Sequence, residues 1–394
     1  MSSATNSQKT ELGVTVLLTK ELDWIRGKSI GLITNHTGVD HNLRSNYRLF
    51  SEISECQLSA IFSPEHGLWG AVQDGIAINS VETPNGNINV PVFSLYGQSM
   101  RPTAKQLEGI DLLVYDMQDV GARYYTYIST LLYAMEAASD CGIEFIVADR
   151  PNPITGTAAE GPLLESGFES FVGIHKIPIR YGLTIGELAM LLKAERVPSC
   201  RLKVAWMDGY RRGMWFNDFL LLPWVPPSPN MPTLTTAILY PGLCLFEGTN
   251  MSEGRGTTKP FEYIGAPWCN GERWAETLNA LRLPGVLFRP VVFTPAPAAE
   301  NTKHAKQTCH GVAIHITDRE RFRPVETAIH MLSTLVTEYR GQFAFRPTHF
   351  DRLAGNNWLR NALLDGESFD KIQARWAEEL QRWCENTTQY HAYD

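Results

Sequence analysis

Several things are missing from this 394-residue chain, and each absence removes a class of function. No apolar run approaches the ~18 residues that a membrane-crossing helix needs, so no membrane span is expected. There is no basic excess. The formal net charge is −7, whereas a nucleic-acid binder carries a basic face, so no nucleic-acid partner is expected either. The seven cysteines (56, 141, 200, 244, 269, 309 and 384) are odd in number, scattered and without C-x-x-C spacing, which indicates neither a disulfide framework nor a zinc site. The start, Met1–Thr10, is polar throughout and is not a secretory signal. A cytoplasmic location is the default expectation, with the periplasm or the exterior as the alternative if a leader has been left out. Residues 1–12 read as a loose lead-in. The chain also has no G-x-x-x-x-G-K-[ST] or G-x-G-x-x-G cradle, no G-x-S-x-G elbow and no H-E-x-x-H, so no cofactor or metal is expected.

What is present has an ordinary globular composition, 44% hydrophobic and 20% charged. It is organised around Asp111–Tyr127. There the apolar run Leu112–Tyr115 has the length of a buried strand, and Asp116, Gln118, Asp119 and Arg123 follow within eight positions. Gly121 breaks the chain, and Tyr124–Ala138 reads as a helix. Other strands end in the same way. Lys28–Thr34 runs into Asn35-His36-Thr37-Gly38, Leu58–Ser63 into Pro64-Glu65-His66-Gly67, and Ile143–Ala148 into Asp149-Arg150-Pro151. Strands alternating with helices imply right-handed parallel crossovers and a sheet covered on both faces. All the carboxyl ends then share one edge, and Asn35, His36, Glu65, His66, Asp116, Asp119, Arg123, Asp149 and Arg150 converge on one rim. Any one such residue is as well explained by helix capping or local ion pairing. Four strand ends together point to a functional rim.

Further along, Thr184-Ile185-Gly186-Glu187 is a capping box that opens a helix to about Glu195. The proline-rich 223–232 segment reads as a stiff loop with Trp224 and Asn230 exposed for use. Phe246–Lys259 places Glu247, Glu253, Arg255 and Lys259 among glycines, with Phe261 and Tyr263 close by, and reads as a binding loop. Gly254 and Gly256, on either side of Arg255, are expected to let the backbone approach a ligand. Strands at Val286–Phe293 and Gly311–Thr317, a helix at Val325–Tyr339, and a stripe of Phe369, Ile372, Trp376, Leu380 and Trp383 on one helical face give a second unit. The fold class is therefore α/β, divided at about 12–265 and 266–394. Glu65, Asp116, Asp119, Glu247 and Glu253 supply the two carboxylates that acid/base cleavage of a glycosidic bond requires. Glu65, beside apolar Leu68-Trp69, is the expected acid, and Trp69, Tyr124, Tyr125 and Trp224 offer apolar faces to a sugar.

The same residues carry a family resemblance. L-I-T-N-H-T-G-V-D (32–40), F-S-P-E-H-G-L-W-G (62–70), Y-D-M-Q-D-V-G-A-R-Y-Y-T-Y-I-S-T (115–130), D-R-P-N-P (149–153), P-S-P-N-M-P-T (227–233) and E-G-T-N-M-S-E-G-R-G-T-T-K-P-F-E (247–262) resemble the exo-β-N-acetylmuramidases of the NamZ type. The resemblance implies a Rossmann-like catalytic domain with helices on both faces and a smaller C-terminal α/β domain. It also implies release of N-acetylmuramic acid, from peptidoglycan-derived muropeptides or from disaccharide fragments joining it to N-acetylglucosamine, without a nucleotide cofactor. Carried over by motif, Glu65 is the catalytic acid, and His66, Asp119, Arg123 and Glu253 lie in the cleft, Asp119 and Glu253 being the other catalytic candidates. His36, Asp116, Tyr125, Arg150, Asn230 and Arg255 complete the expected substrate contacts. Arg255 is matched to the lactyl carboxylate of the sugar, with Arg123 as its competitor, because a guanidinium binds both oxygens of a carboxylate. A non-catalytic muropeptide-binding protein on the same fold is the alternative.

Overall fold

A computed structural model describes residues 10–72, 89–218, 222–297 and 302–394. Six short apolar runs form one parallel sheet. In chain order they are β1 (Ser29–Thr34), β2 (Gln57–Ser63), β3 (Val92–Ser94), β4 (Leu112–Asp116), β5 (Glu144–Ala148) and, after a small β6–β7 hairpin (Glu160–Leu163, Pro178–Arg180), β8 (Arg201–Ala205). Their spatial order is β3-β2-β1-β4-β5-β8. Counting only the parallel strands, this is the 3-2-1-4-5-6 order of doubly wound folds.

All five residues of β4 are buried, and they face two different cores. Leu112 and Val114 join Val14 and Leu17 of α1 (Gly13–Thr19) and Phe50 of α2 (Asn46–Glu52). Leu113 and Tyr115 join Leu131 of α3 (Tyr127–Asp140) and Leu188 of α4 (Ile185–Glu195). This alternation is the period-two geometry of a strand buried on both faces. The expected capping box forms, with Glu187 N donating to Thr184 Oγ1 at 3.2 Å and Thr184 N to Glu187 Oε2 at 2.9 Å.

The chain continues through α5 (Leu234–Leu243) to an antiparallel sheet of order β10-β11-β9, built from β9 (Tyr263–Ala266), β10 (Val286–Phe293) and β11 (Cys309–Ile316). Around it lie α6 (Gly271–Ala280), α7 (Pro324–Glu338), α8 (Pro347–Ala354), α9 (Trp358–Leu364) and α10 (Phe369–Thr387). The aromatic stripe lies on α10, where Ile372, Trp376 and Trp383 are buried. The sequence did not announce α5, because Pro241 lies inside it. Gly242, beside that proline, has room for no side chain, since a Cβ there would lie 1.9 Å from the Pro324 carbonyl oxygen of α7.

Three expectations change. Helix α3 starts at Tyr127 rather than Tyr124. Of the expected loose lead-in, residues 1–9 lie outside the described residues. Glu11 is tied to Asp208 by reciprocal backbone bonds of 2.8 and 3.0 Å. Arg123 was expected in the cleft, but it is fully buried. Its guanidinium donates to the carbonyls of Pro162 (2.8 Å), Ile177 (2.9 Å), Leu353 (2.9 Å) and Ala354 (2.8 Å). Burial lowers its pKa to about 10.

Farther along, Tyr393 donates to Asp149 Oδ2 at 2.5 Å, and Asp149 also accepts from Thr184 Oγ1 and Gly186 N at the start of α4.

Replacing Arg123 by Met strips four buried carbonyls of a charged donor worth about 1.5–3 kcal/mol per bond. The expected result is a loss of several kcal/mol in denaturant unfolding. A variant of normal stability with weakened substrate binding would instead return Arg123 to the cleft.

Candidate active-site cleft

The cleft begins where β2 ends. Gly67 N closes a turn on the Pro64 carbonyl at 3.1 Å, and His66 sits at φ 70°, a left-handed conformation uncommon outside glycine. The His66 ring holds that conformation through Nδ1 and the Val72 carbonyl, 2.8 Å away. The turn presents Glu65, which is 8% exposed and accepts a 2.7 Å hydrogen bond from Thr126 Oγ1. Thr126 is the residue before α3, and its hydroxyl does not cap that helix. The late start of α3 thus frees Tyr124, Tyr125 and Thr126 to line the cleft beside Glu65 and His66.

An aromatic wall continues from there. Tyr125 meets Tyr240 edge-on at 6.0 Å, and Tyr240 meets Phe261 at 4.9 Å. Another side comes from the proline-rich loop through Ser228, Asn230 and Met231. That loop is stitched down at several points. His36 Nε2 donates to the Pro226 carbonyl at 2.6 Å, Tyr127 to that of Pro227 at 2.5 Å, and Trp224 Nε1 to that of Met231 at 3.0 Å. His36 and Trp224 therefore hold the loop and do not line the cleft, and Asn230 is a buried lining residue rather than an exposed one. Burial lowers the His36 pKa, against the Pro226 bond that raises it.

The remaining wall is the Gly-rich loop and α8. Arg255 Nη1 lies 2.7 Å from Glu247 Oε1 and 3.3 Å from Glu253 Oε1, and its guanidinium stacks 4.8 Å over Phe261. His349 of α8 lies 3.5 Å from Glu247 Oε2. Burial pushes the Glu247 carboxyl up, but Arg255 and His349 outweigh it and hold the group at about 2. Glu247 is thus ionised at any working pH. The cavity volume is about 110 Å³, room for several waters or one compact polar ring.

Of the expected site residues, Glu65, His66, Tyr125, Asn230 and Arg255 line this cleft. The others do not. Glu253 is 2% exposed and pairs with Lys303 at 2.7 Å. Lys303 in turn ties the carbonyls of Phe246 and Thr249. Asp119 accepts from Tyr181 and from Gly121 N, and burial raises its carboxyl to about 6 against those two bonds. Asp116 and Arg150 form a buried two-pronged ion pair of 2.5 and 3.0 Å. The glycines flanking Arg255 serve the loop itself. Both sit at φ 79°, and a Cβ would lie 2.6 Å from the Lys259 carbonyl oxygen at Gly254 and 2.2 Å from that of Ala296 at Gly256. Sequence reasoning missed Thr126, Ser228, Tyr240, Cys244 and His349, and it preferred Glu253 to Glu247. His349 carried no local signal, since its segment reads only as a proline-started turn, and 102 residues separate it from Glu247 in the chain.

The crevice between the carboxyl ends of β1 and β4, where doubly wound sheets bind dinucleotides, is filled. Phe216, Leu222, Pro223 and Val225 close over Thr37, Gln118 and Arg150 and leave about 10 Å³, the space of a single water. The described cleft lies to one side, over the end of β2.

Known proteins match this chain over almost its full length. The family model described as exo-β-N-acetylmuramidase NamZ, N-terminal, matches residues 30–235, and its C-terminal counterpart matches 238–393. The chain is 45% identical over 387 residues to the peptidoglycan β-N-acetylmuramidase NamZ of Bacillus subtilis (strain 168), covering 98% of this chain and 92% of that protein. Crystal structures of two DUF1343 family proteins from Bacteroides fragilis NCTC 9343 superpose with TM-scores of 0.90 and 0.80 at 35% and 31% identity. Each covers 98% of this chain and 99% of its own. With both halves matched, the chain belongs to the exo-β-N-acetylmuramidase NamZ family.

Proposed function

We propose that this protein is a glycoside hydrolase of peptidoglycan turnover, an exo-β-N-acetylmuramidase that releases N-acetylmuramic acid, or a unit containing it, from the non-reducing ends of muropeptides. Membership of the family supports the activity. The observation that carries the site is Glu65, the carboxyl that lines the cleft from the end of β2 with an aromatic wall alongside.

In this reading Glu65 gives a proton to the glycosidic oxygen as the bond to the anomeric carbon breaks. Water adds its oxygen to that carbon, and the proton it sheds restores the carboxyl. Thr126 aims Glu65 through its 2.7 Å hydrogen bond. Asp119 and Glu253 act from behind the cleft. The first fixes the 119–121 turn through Gly121 N, and the second fixes Arg255 at 3.3 Å. Tyr125, Tyr240 and Phe261 give the sugar apolar surface. Arg255 is the cation that faces the lactyl carboxylate.

The decisive experiment is hydrolysis of a chromogenic N-acetylmuramide beside the matching N-acetylglucosaminide. The muramide is expected to be cleaved and strongly preferred. Binding of muropeptide with no cleavage of any muramide would leave a carbohydrate-binding protein.

Glu65→Gln is expected to lower kcat on natural muropeptide by about 10²–10⁴-fold, the usual contribution of general acid catalysis, with folding and sugar affinity retained. The loss should shrink on an activated phenol leaving group, which needs no proton. A mutant that keeps most of its activity on the natural substrate would remove Glu65 from this role.

Arg255→Met is expected to lower kcat/KM on muramides by roughly 10- to 150-fold, the equivalent of one charged hydrogen bond. The muramide-to-glucosaminide preference should narrow with it. Equal losses on both substrates would make Arg255 a support for Glu247 and Glu253 rather than a reader of the sugar.

A further inference from the structure

The corner of the cleft around Glu247 gathers more nitrogen donors than its carboxylates need. Glu253 is matched by Lys303 at 2.7 Å, and Glu247 by Arg255 at 2.7 Å. His349 then approaches the second oxygen of Glu247, at 3.5 Å. A neutral sugar gives no reason for a second nitrogen donor on a carboxylate that a guanidinium already pairs. An anionic sugar does, because its carboxylate adds the charge that completes the set.

The position of His349 is fixed before any ligand arrives. Helix α8 starts with Pro347 at its first turn and ends at Gly355 in the left-handed conformation. The loop that carries Glu247 lies directly on it. Arg346 N donates to the Gly248 carbonyl at 2.7 Å, and a Cβ on Gly248 would lie 2.4 Å from the Phe350 Cα. At its other end, the carbonyls of Leu353 and Ala354 are held by Arg123. The His349 side chain itself is 42% exposed, so it stands at the mouth of the cleft on a rigid backbone. A pre-set donor at a half-open edge suits recognition of a substituent projecting from a sugar ring.

We propose that His349 is a specificity-determining residue, which with Arg255 forms the subsite for the carboxylate on the lactyl ether of the sugar, Glu247 holding the two side chains in register. The inference rests on the muramidase reading. It adds that the second half of the chain, not only the Gly-rich loop, reads the acid group.

The test compares the full chain with His349→Gln and His349→Lys. The probes are free N-acetylmuramic acid and its lactyl methyl ester, equal in shape at the ring and different in charge. Affinities are measured by calorimetry, with hydrolysis of a chromogenic muramide run in parallel. Wild type is expected to prefer the acid. His349→Gln should shrink that preference by about tenfold, the size of one charge-assisted hydrogen bond, and His349→Lys should restore much of it. Parallel weakening of acid and ester would make His349 a structural partner of Glu247 and overturn the proposal. So would an unchanged preference. A wild type that cleaves the muramide yet binds acid and ester alike overturns this inference alone. One that neither cleaves the muramide nor binds either sugar overturns the muramidase reading and this inference with it.

Discussion

A buried cation ties the two halves of this molecule together beside the hydrophobic core they share. Among the described residues, no carboxylate lies against Arg123. Its four donor contacts go to backbone carbonyls in the β6–β7 region and at the end of α8. A guanidinium taken from water is costly unless its donors are matched, and carbonyl groups buried without partners are costly too. Each side therefore needs the other. The cleft depends on this tie because its wall is shared. Glu65, Tyr125 and Asn230 come from the first half, and His349 and Leu353 from α8. Shifting α8 by an ångström would separate His349 from Glu247.

The parallel sheet was legible because its strands are buried on both faces and so read as unbroken apolar runs. The four expected from the sequence, β1, β2, β4 and β5, lie within about one residue of their observed bounds. The β6–β7 hairpin and α8 were not legible. The first has strands of three and four residues, and the second is eight residues long, too short for periodicity to speak. The site was half legible for a different reason. A charged residue at a strand end can turn up to a ligand or sideways to a neighbour, and the local sequence is the same in both cases. Glu65 turns up. Asp116 turns sideways to Arg150, and both are then spent holding Asn46 and the Val39 carbonyl. Glu247 and Glu253 differ only in which side of one loop they face, and that is set by Lys303, far along the chain.

The filled crevice sets this doubly wound fold apart from those that seat a ligand between β1 and β4. Topology offers one crevice, between β1 and β4. Phe216 and the start of the proline-rich loop occupy it and leave space for a single water. The turn after β2, kept open by left-handed His66, then becomes the usable end of the sheet. Loop packing, rather than strand order, places the open cleft one strand away from that crevice.

The contact between Tyr393 and Asp149 spans 244 residues. At about 5–20 residues per second, a ribosome needs roughly 10–50 s to make that stretch, and a completed domain normally folds as it emerges. Here the buried acid at the end of β5 has Thr184 and Gly186 but lacks its Tyr393 donor throughout that interval. Arg123 waits nearly as long for Leu353 and Ala354. The nascent first half is thus a sheet with an open seam, and its closure coincides with the docking of the second. Cutting the gene between the two matched regions would not yield a catalytic module and a dispensable accessory, but two fragments that each expose what the other was made to cover.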